Sequence, residues 1–390
     1  MTSEPSRRLF GESELIALRD VLDSGLLWRG NGPEWGGASG VGGSAVDQFE
    51  DAFGDWLGLP YVLAVNSGSS ANEATIASLG LRPGDEVLCP AASPVFVPLS
   101  VLALGCIPVF VDVDPETMLI RPEEIERKST ERTRALVVVH LWGQPAAMRE
   151  VVEVARKLNL LIVEDCAQAF LTTMDGQRVG TFGDVCCFSL QQSKHISSGE
   201  GGVLATRNRA AYVRAALYSN SGIPSFRYGA SASDAGFEQN GHLTFGHNHR
   251  MGELQGAVAR VQLEQIDTSG TRRAELVAVA QQELARLGRA ETRTVAPRKG
   301  ADVSFWRYPV LVPKGRGTYR GIPPIEPIFS AIERTRMTPF GVEVRHDLHY
   351  GPQECPGAIE GAGQIRVLSM HHGQSDDEVR RAVGELVSDL

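Results

Sequence analysis

Between residues 60 and 217 the chain returns repeatedly to short apolar runs, each separated from the next by a longer segment. The runs are YVLAV (61–65), EVLC (86–89), PVFVDV (108–113), ALVVVH (135–140), LLIVED (160–165), DVCCFSL (184–190) and GVLAT (202–206). They have the length and bulk of strands, and several intervening segments, such as MREVVEVARKLN (148–159), space their apolar residues as a helix does. Strands alternating with helices make βαβ units and a mainly parallel sheet. Such a sheet is covered on both faces, so its strands need no polar alternation, and these show little. The fold class is therefore α/β.

At 219–250 the pattern stops in SNSGIPSFRYGASASDAGFEQNGHLTFGHN and its flanks, rich in Ser, Gly and Asn. A loop this long within a compact protein is functional or mobile. A helical stretch is expected over 252–287, then short strands and loops, and a closing helix over 375–390 with Ser375 as N-cap. The 390 residues are thus expected to form a large domain (1–250, including the N-terminal segment) and a smaller C-terminal domain (251–390). Residues 36–43, GGASGVGG, look like a phosphate loop but follow no strand and lack GK[ST], so they read as a flexible loop.

Residues 94–111, PVFVPLSVLALGCIPVFV, are uncharged, but three prolines and a glycine break them into a buried helix, a turn and a buried strand rather than a membrane span. The net charge of −9, with no dense basic block, argues against nucleic acid or an anionic membrane as partner. No apolar secretory segment is seen at the N-terminus. Six cysteines without a CxxC pair read as packed thiols in a reducing, cytoplasmic compartment. The paired histidines (247/249, 346/349, 371/372) lack supporting Cys or carboxylate spacing, so no metal is expected.

In an open α/β sheet, ligands collect at the carboxyl ends of strands. Three segments there carry chemistry. NSGSSANEATIASL (66–79) is a Gly-Ser-Ser turn into a helix, whose free N–H groups and positive end suit a phosphate, with Ser69 and Ser70 as hydroxyl donors; a plain serine-rich cap reads the same way. VEDCAQAF (163–170) ends a strand with Glu164 and Asp165, either a structural pair or a carboxylate that keeps a heterocyclic nitrogen protonated, with Gln168 as a further polar contact. FSLQQSKHISSGEGG (188–202) sets Lys194 among Ser, Gln and Gly, either as a rim charge or as an amine for covalent chemistry. A phosphate site, an acid for a ring nitrogen and a reactive lysine are what pyridoxal phosphate requires.

These motifs, with FEDAFGDWLG, RPGDEVLCP, VFVDVDPET, VVHLWGQPA and GHNHRMGELQGAVARVQLEQID in the same order, resemble the DegT/DnrJ/EryC1/StrS sugar aminotransferases, which are fold-type-I pyridoxal-phosphate enzymes. The resemblance covers nearly the whole chain and is closest to the aminocyclitol and ketosugar branch. It implies that Lys194 bonds the cofactor and shuttles the proton, and that Asp165 pairs with the pyridinium nitrogen. Gln168 would lie near the ring hydroxyl, and Gly68, Ser69, Ser70 and Ser189 would hold the phosphate. Asn248 would reach that phosphate in a neighbouring subunit, which implies a homodimer with shared sites.

Three positions depart from the family pattern. Pro94 stands where an aromatic usually covers the ring, so Phe96, two residues on, is expected to take over part of that role. His195 follows the lysine where asparagine is common, and His249 replaces a tyrosine. The implied reaction moves an amino group from glutamine or glutamate to a keto group of a sugar, cyclitol or related secondary-metabolite intermediate. Aromatising or dehydrating chemistry on the same fold, or a degenerate non-catalytic paralogue, are the alternatives; the dehydratases carry histidine for the lysine, and Ser189 five residues upstream sets the alignment on Lys194.

Overall fold

Every apolar run forms a strand. The computed structural model describes residues 10–29, 44–237, 244–287 and 291–390, so the glycine-rich 36–43 segment lies outside the described residues. The main strands are β1 (Tyr61–Val65), β2 (Glu86–Pro90), β3 (Ile107–Val111), β4 (Thr133–Val139), β5 (Leu161–Asp165), β6 (Val185–Ser189) and β7 (Gly202–Thr206). They form one seven-stranded sheet in the order β1-β7-β6-β5-β4-β2-β3. Only β7 runs against its neighbours, antiparallel to both β1 and β6. β2, β3, β6 and β7 are buried at every residue, the pattern of a sheet covered on both faces.

The covering helices are α1 (Glu12–Ser24), α2 (Ala45–Leu57), α3 (Gly68–Ser78), α4 (Phe96–Ala103), α5 (Pro122–Lys128), α6 (Met148–Lys157), α7 (Arg209–Ser219) and α8 (Glu253–Glu264). The uncharged 94–111 stretch resolves into α4, a turn and β3, and among the described residues no helix is long and apolar enough to cross a membrane. One apolar cluster around Val87, Val109, Leu136 and Val163 and another around Phe49, Phe53, Phe170 and Phe188 form the cores against the sheet. Glu50, fully buried on α2, accepts from Arg29, Arg227 and the Ala64 amide, which ties α2 and β1 to two distant loops.

Past residue 264 the expected single helix breaks at Gln265 and continues as α9 (Ile266–Leu287). Three antiparallel strands follow, β8 (Arg293–Thr294), β9 (Arg307–Leu311) and β10 (Ile365–Ser369), with α10 (Pro327–Thr335), α11 (Pro356–Ala362) and α12 (Asp376–Ser388). Ser375 caps α12 as expected, accepting from the Glu378 amide at 3.2 Å. Leu276, Tyr308, Val310, Leu368 and Val383 give α9, β9, β10 and α12 a core of their own, while Phe329 of α10 and Ala358 of α11 join the cluster of the large sheet. α8 packs on α1 and α2 of the large sheet layer, while α9 packs on α12. All six cysteines are free and buried.

Candidate active site

The sheet brings the three sequence segments to one edge. β1, β5 and β6 end there and the reversed β7 begins there, with Gly202 paired to both Val65 and Ser189. Ser67 caps α3 through its Oγ, which accepts from the Ser70 amide at 3.0 Å. Among the described residues the Gly68 and Ser69 amides have no helical acceptor, as expected for a first turn at the positive helix end. Gly68 is required by contact: a Cβ there would stand 2.7 Å from both Cβ and Oγ of Ser189. Likewise a Cβ on Gly202 would meet the Ser67 carbonyl oxygen at 2.2 Å. The result is a cup of backbone amides and hydroxyls that suits a phosphate. Ser69 is exposed at its rim, whereas Ser70 is buried and donates its hydroxyl to Asn66 at 2.7 Å.

The adjacent carboxylates of β5 divide their roles by facing opposite sides of the strand. Glu164 is saturated: Oε1 accepts from the Phe182 and Gly183 amides, and Oε2 from the Gly180 amide and His140 Nε2. His140 Nδ1 accepts from the Ala146 amide, which puts the imidazole proton on Nε2. His140, Glu164 and Cys166 form the one group with metal-ligand spacing among the described residues. Those hydrogen bonds leave Glu164 no free lone pair toward a metal. Asp165 is held by the Ala167 amide at 2.9 Å and Asn72 Nδ2 at 3.4 Å, and among the described residues it has no salt bridge. Burial pushes its pKa up; the two hydrogen bonds and the nearby Lys194 oppose that shift. A cation against this carboxylate would remove the cost of its burial.

Lys194 sits in a loop tied down on every side. Its amide donates to the Gln191 carbonyl, and Gln191 Oε1 accepts both the amide and hydroxyl of Ser193. The buried guanidinium of Arg273 on α9 donates to the carbonyls of Lys194 at 2.8 Å and of Met370, with longer contacts of 3.5 Å to the carbonyls of Ser193 and Trp306. Among the described residues no carboxylate pairs with Arg273. Lys194 Nζ lies 4.0 Å from the centre of the Trp306 ring, whose indole N–H donates to the Ser193 carbonyl at 2.7 Å. Burial lowers the lysine pKa to about 8; Asp165 pulls upward, while Arg307 and Arg273 add to the lowering.

Gln168 is buried and its Oε1 accepts from the Trp142 amide at 2.7 Å, which leaves its NH₂ as a donor. Trp142 has φ +60°, a conformation that costs a bulky residue strain. It is held there from both sides, since its carbonyl also accepts from the Trp306 amide at 2.9 Å and its ring meets Tyr319 edge-on at 5.0 Å. His195 faces away from the lysine's ring contact: it packs on Phe170 and donates from Nε2 to the Ser304 carbonyl at 3.0 Å. Phe96 begins α4, just after Pro94, and is 42% exposed. Asn248 is exposed; its backbone bridges to Asn220 and accepts from Asn66 Nδ2 at 3.5 Å. His249 approaches Glu73 and Tyr218.

Sequence reasoning did not single out Asn72, Arg273, Trp306 and Arg307. Asn72 lay inside the quoted helix one turn past Gly68, which was a usable signal; the other three carry no local motif.

A phosphate cup, a buried acid and a lysine of lowered pKa at the strand tips of one mainly parallel sheet define an enzyme built around pyridoxal phosphate. The DegT/DnrJ/EryC1/StrS aminotransferase family model matches residues 36–386, and the chain belongs to that family. The chain is 35% identical to GDP-perosamine synthase of Caulobacter vibrioides over 71% of its own length and 72% of that protein. It is 30% identical to L-glutamine:2-deoxy-scyllo-inosose aminotransferase of Streptomyces lividus over 95% of this chain and 91% of that one. The solved aminotransferase TlmJ of Streptoalloteichus hindustanus matches with a TM-score of 0.77 and 27% identity, covering 97% and 96% of the two chains.

Proposed function

We propose that this aminotransferase moves nitrogen from glutamine or glutamate to a keto group on a cyclitol or sugar of secondary metabolism. The observation that carries the reading is the placement of Asp165 at the tip of β5 and of Lys194 in the loop past β6, the neighbouring strand. Both are buried and each shifts the other's pKa, yet they make no salt bridge. A planar heterocycle held by both would turn its ring nitrogen to Asp165 and its carbonyl carbon to Lys194. Relatives named for sugar and for inosose acceptors support the acceptor class.

When bound, pyridoxal phosphate supplies an aldehyde for the amine and a ring that accepts electrons from the substrate carbon. The chain does the rest. Asp165 holds a proton on the ring nitrogen, and Asn72 with the Ala167 amide keeps it aimed. Gln168 donates through its NH₂ toward the ring hydroxyl. The Gly68 and Ser69 amides and the hydroxyls of Ser69 and Ser189 hold the phosphate, with Ser70 bracing the turn from behind. Lys194 Nζ, neutral above about pH 8, would bond the cofactor's aldehyde carbon and, once released, take the proton from the substrate's α-carbon. Phe96 covers one edge of the ring.

The same reading makes the enzyme a homodimer, with the exposed Asn248 reaching the phosphate of the second copy. It also divides the chain into a cofactor lobe (1–250) and a smaller lobe (251–390), α8 bracing the junction, and places the protein in the cytoplasm, consistent with its six free thiols. His195 does not favour a dehydratase, since among the described residues its imidazole bonds to the Ser304 carbonyl.

Borohydride reduction of the holoenzyme tests the reading. The cofactor should be recovered on the peptide bearing Lys194, and L-glutamine should convert its spectrum to the amine form before reduction. Label on another lysine, or a spectrum that no amino donor changes, overturns it.

A further inference from the structure

Three consecutive carbonyls of the lysine loop are each taken by a donor from outside it. The Ser193 carbonyl accepts from the Trp306 indole at 2.7 Å, that of Lys194 from Arg273 at 2.8 Å, and that of His195 from the Ser269 hydroxyl at 2.7 Å. Ser269 and Arg273 are four residues apart on α9 and so share one of its faces. The guanidinium also reaches the Met370 carbonyl. Carbonyls ask only for N–H or O–H donors, which a neutral side chain can supply. Arg273 meets them with a full charge at 1% exposure, and among the described residues no carboxylate offsets it. Burying an unpaired charge is costly, so the charge itself calls for a use.

The groups that face it supply one. They are Lys194 and His195 from the loop, and His371 and His372 from the segment after β10. Burial, and after it Arg273, lowers the pKa of all three imidazoles, so they stay neutral beside the guanidinium. The Lys194 amine also faces Asp165 of β5 and Arg307 of β9. Burial brings that amine to about 8; Asp165 opposes the shift, while Arg307 and Arg273 add to it. Arg307 is exposed and screened by water, whereas the charge of Arg273 acts through protein. Burial lowers Arg273 too, but a guanidinium keeps its proton at the pH where the amine loses its own. Cofactor capture joins the Lys194 nitrogen to the aldehyde carbon of pyridoxal phosphate with loss of water, and only the neutral amine can do this. We propose that Arg273 is a positioning residue for Lys194: it fixes the lysine's backbone, and its buried charge favours the neutral amine. This rests on the reading of Lys194 as the residue that bonds the cofactor.

The test uses the full chain as wild type, Arg273→Gln and Arg273→Lys. Amine-directed labelling of the apoenzyme, read by mass spectrometry on the Lys194 peptide, gives the pH midpoint of the amine. The rate of capture of added pyridoxal phosphate against pH, followed by its spectrum, gives that midpoint again without turnover. Arg273→Gln loses the charge and should raise both midpoints by about 0.5–1 pH unit, whereas Arg273→Lys keeps it and should stay within about 0.3 unit of wild type. Above the midpoints the capture rate reaches a plateau, and there both variants should be slower by roughly 10-fold, because neither restores the fork on the loop. Arg273→Met, uncharged and of similar length, replaces Arg273→Gln if the latter lacks native circular dichroism.

Unmoved midpoints in the uncharged variant overturn the proposal. So do midpoints that rise equally in Arg273→Lys, which reduces Arg273 to a structural clamp, and so does an unchanged plateau in both variants. Wild-type protein in which borohydride fixes the cofactor to another lysine rejects the underlying reading instead, so the two failures are distinct.

Discussion

Replacing Glu164 by glutamine should damage the fold, while replacing its neighbour Asp165 by asparagine should damage the chemistry. The Glu164 carboxylate accepts four hydrogen bonds, at 2.8, 2.6, 2.8 and 3.1 Å. A glutamine can present only one oxygen. Whichever way its amide turns, the NH₂ faces two donors, either the Phe182 and Gly183 amides or the Gly180 amide and His140. Two charge-assisted bonds at about 1.5–3 kcal/mol each are lost. Relief of a buried charge offsets part of this, which leaves a net loss of about 3–5 kcal/mol.

Asp165 accepts only from Ala167 and, at 3.4 Å, from Asn72, and burial already works against its ionised form. The asparagine there should cost no more than about 1 kcal/mol. Urea unfolding of the two apoenzymes measures the difference. With a slope of roughly 3 kcal/mol/M, the Glu164→Gln midpoint should fall by about 1–2 M and that of Asp165→Asn should barely move. Single-turnover rates should show the reverse order, with Asp165→Asn losing at least about 10³-fold. Equal midpoint shifts, or a Glu164→Gln enzyme as stable as wild type, would refute the division of roles.

In the apoenzyme, amine-directed labelling followed by mass spectrometry should give Lys194 a midpoint near pH 8, against about 10.4 for exposed lysines. Between those values the unfolded chain holds a proton that the folded one has released, so this group makes stability rise with pH across that window; a midpoint at the ordinary lysine value removes the basis for its neutral attack. Gly68→Ala should weaken cofactor binding at least about 10-fold by pushing Ser189 off the cup, measured by fluorescence titration, and unchanged affinity would mean the phosphate is held elsewhere.

The strands, Lys194 and the phosphate turn were legible because each is a local pattern: an apolar run, a cap, a lysine just past a strand end. Direction was not. GVLAT reads the same whether β7 runs with the sheet or against it, and its reversal is what sets Gly202 beside Ser67 and Ser189. The sequence also placed Glu164 and Asp165 together without showing which faced the ligand, since alternation assigns opposite faces but not which is inside. Trp306 and Arg307 could not be found locally at all. They reach Lys194 from more than a hundred residues away, through an antiparallel sheet whose short strands carry no motif. Arg273 looks in the sequence like an ordinary surface charge of a long helix; only packing shows it to be 1% exposed.

That arginine has a consequence for how the molecule can move. A guanidinium bonded to carbonyls of the lysine loop, of β9's lead-in and of the segment after β10 works as a rivet through three layers. Carbonyls are weak compensation for a buried charge, so the rivet holds only while all three layers stay in register. The lysine loop, the lead-in to β9 and the segment after β10 therefore move as one body.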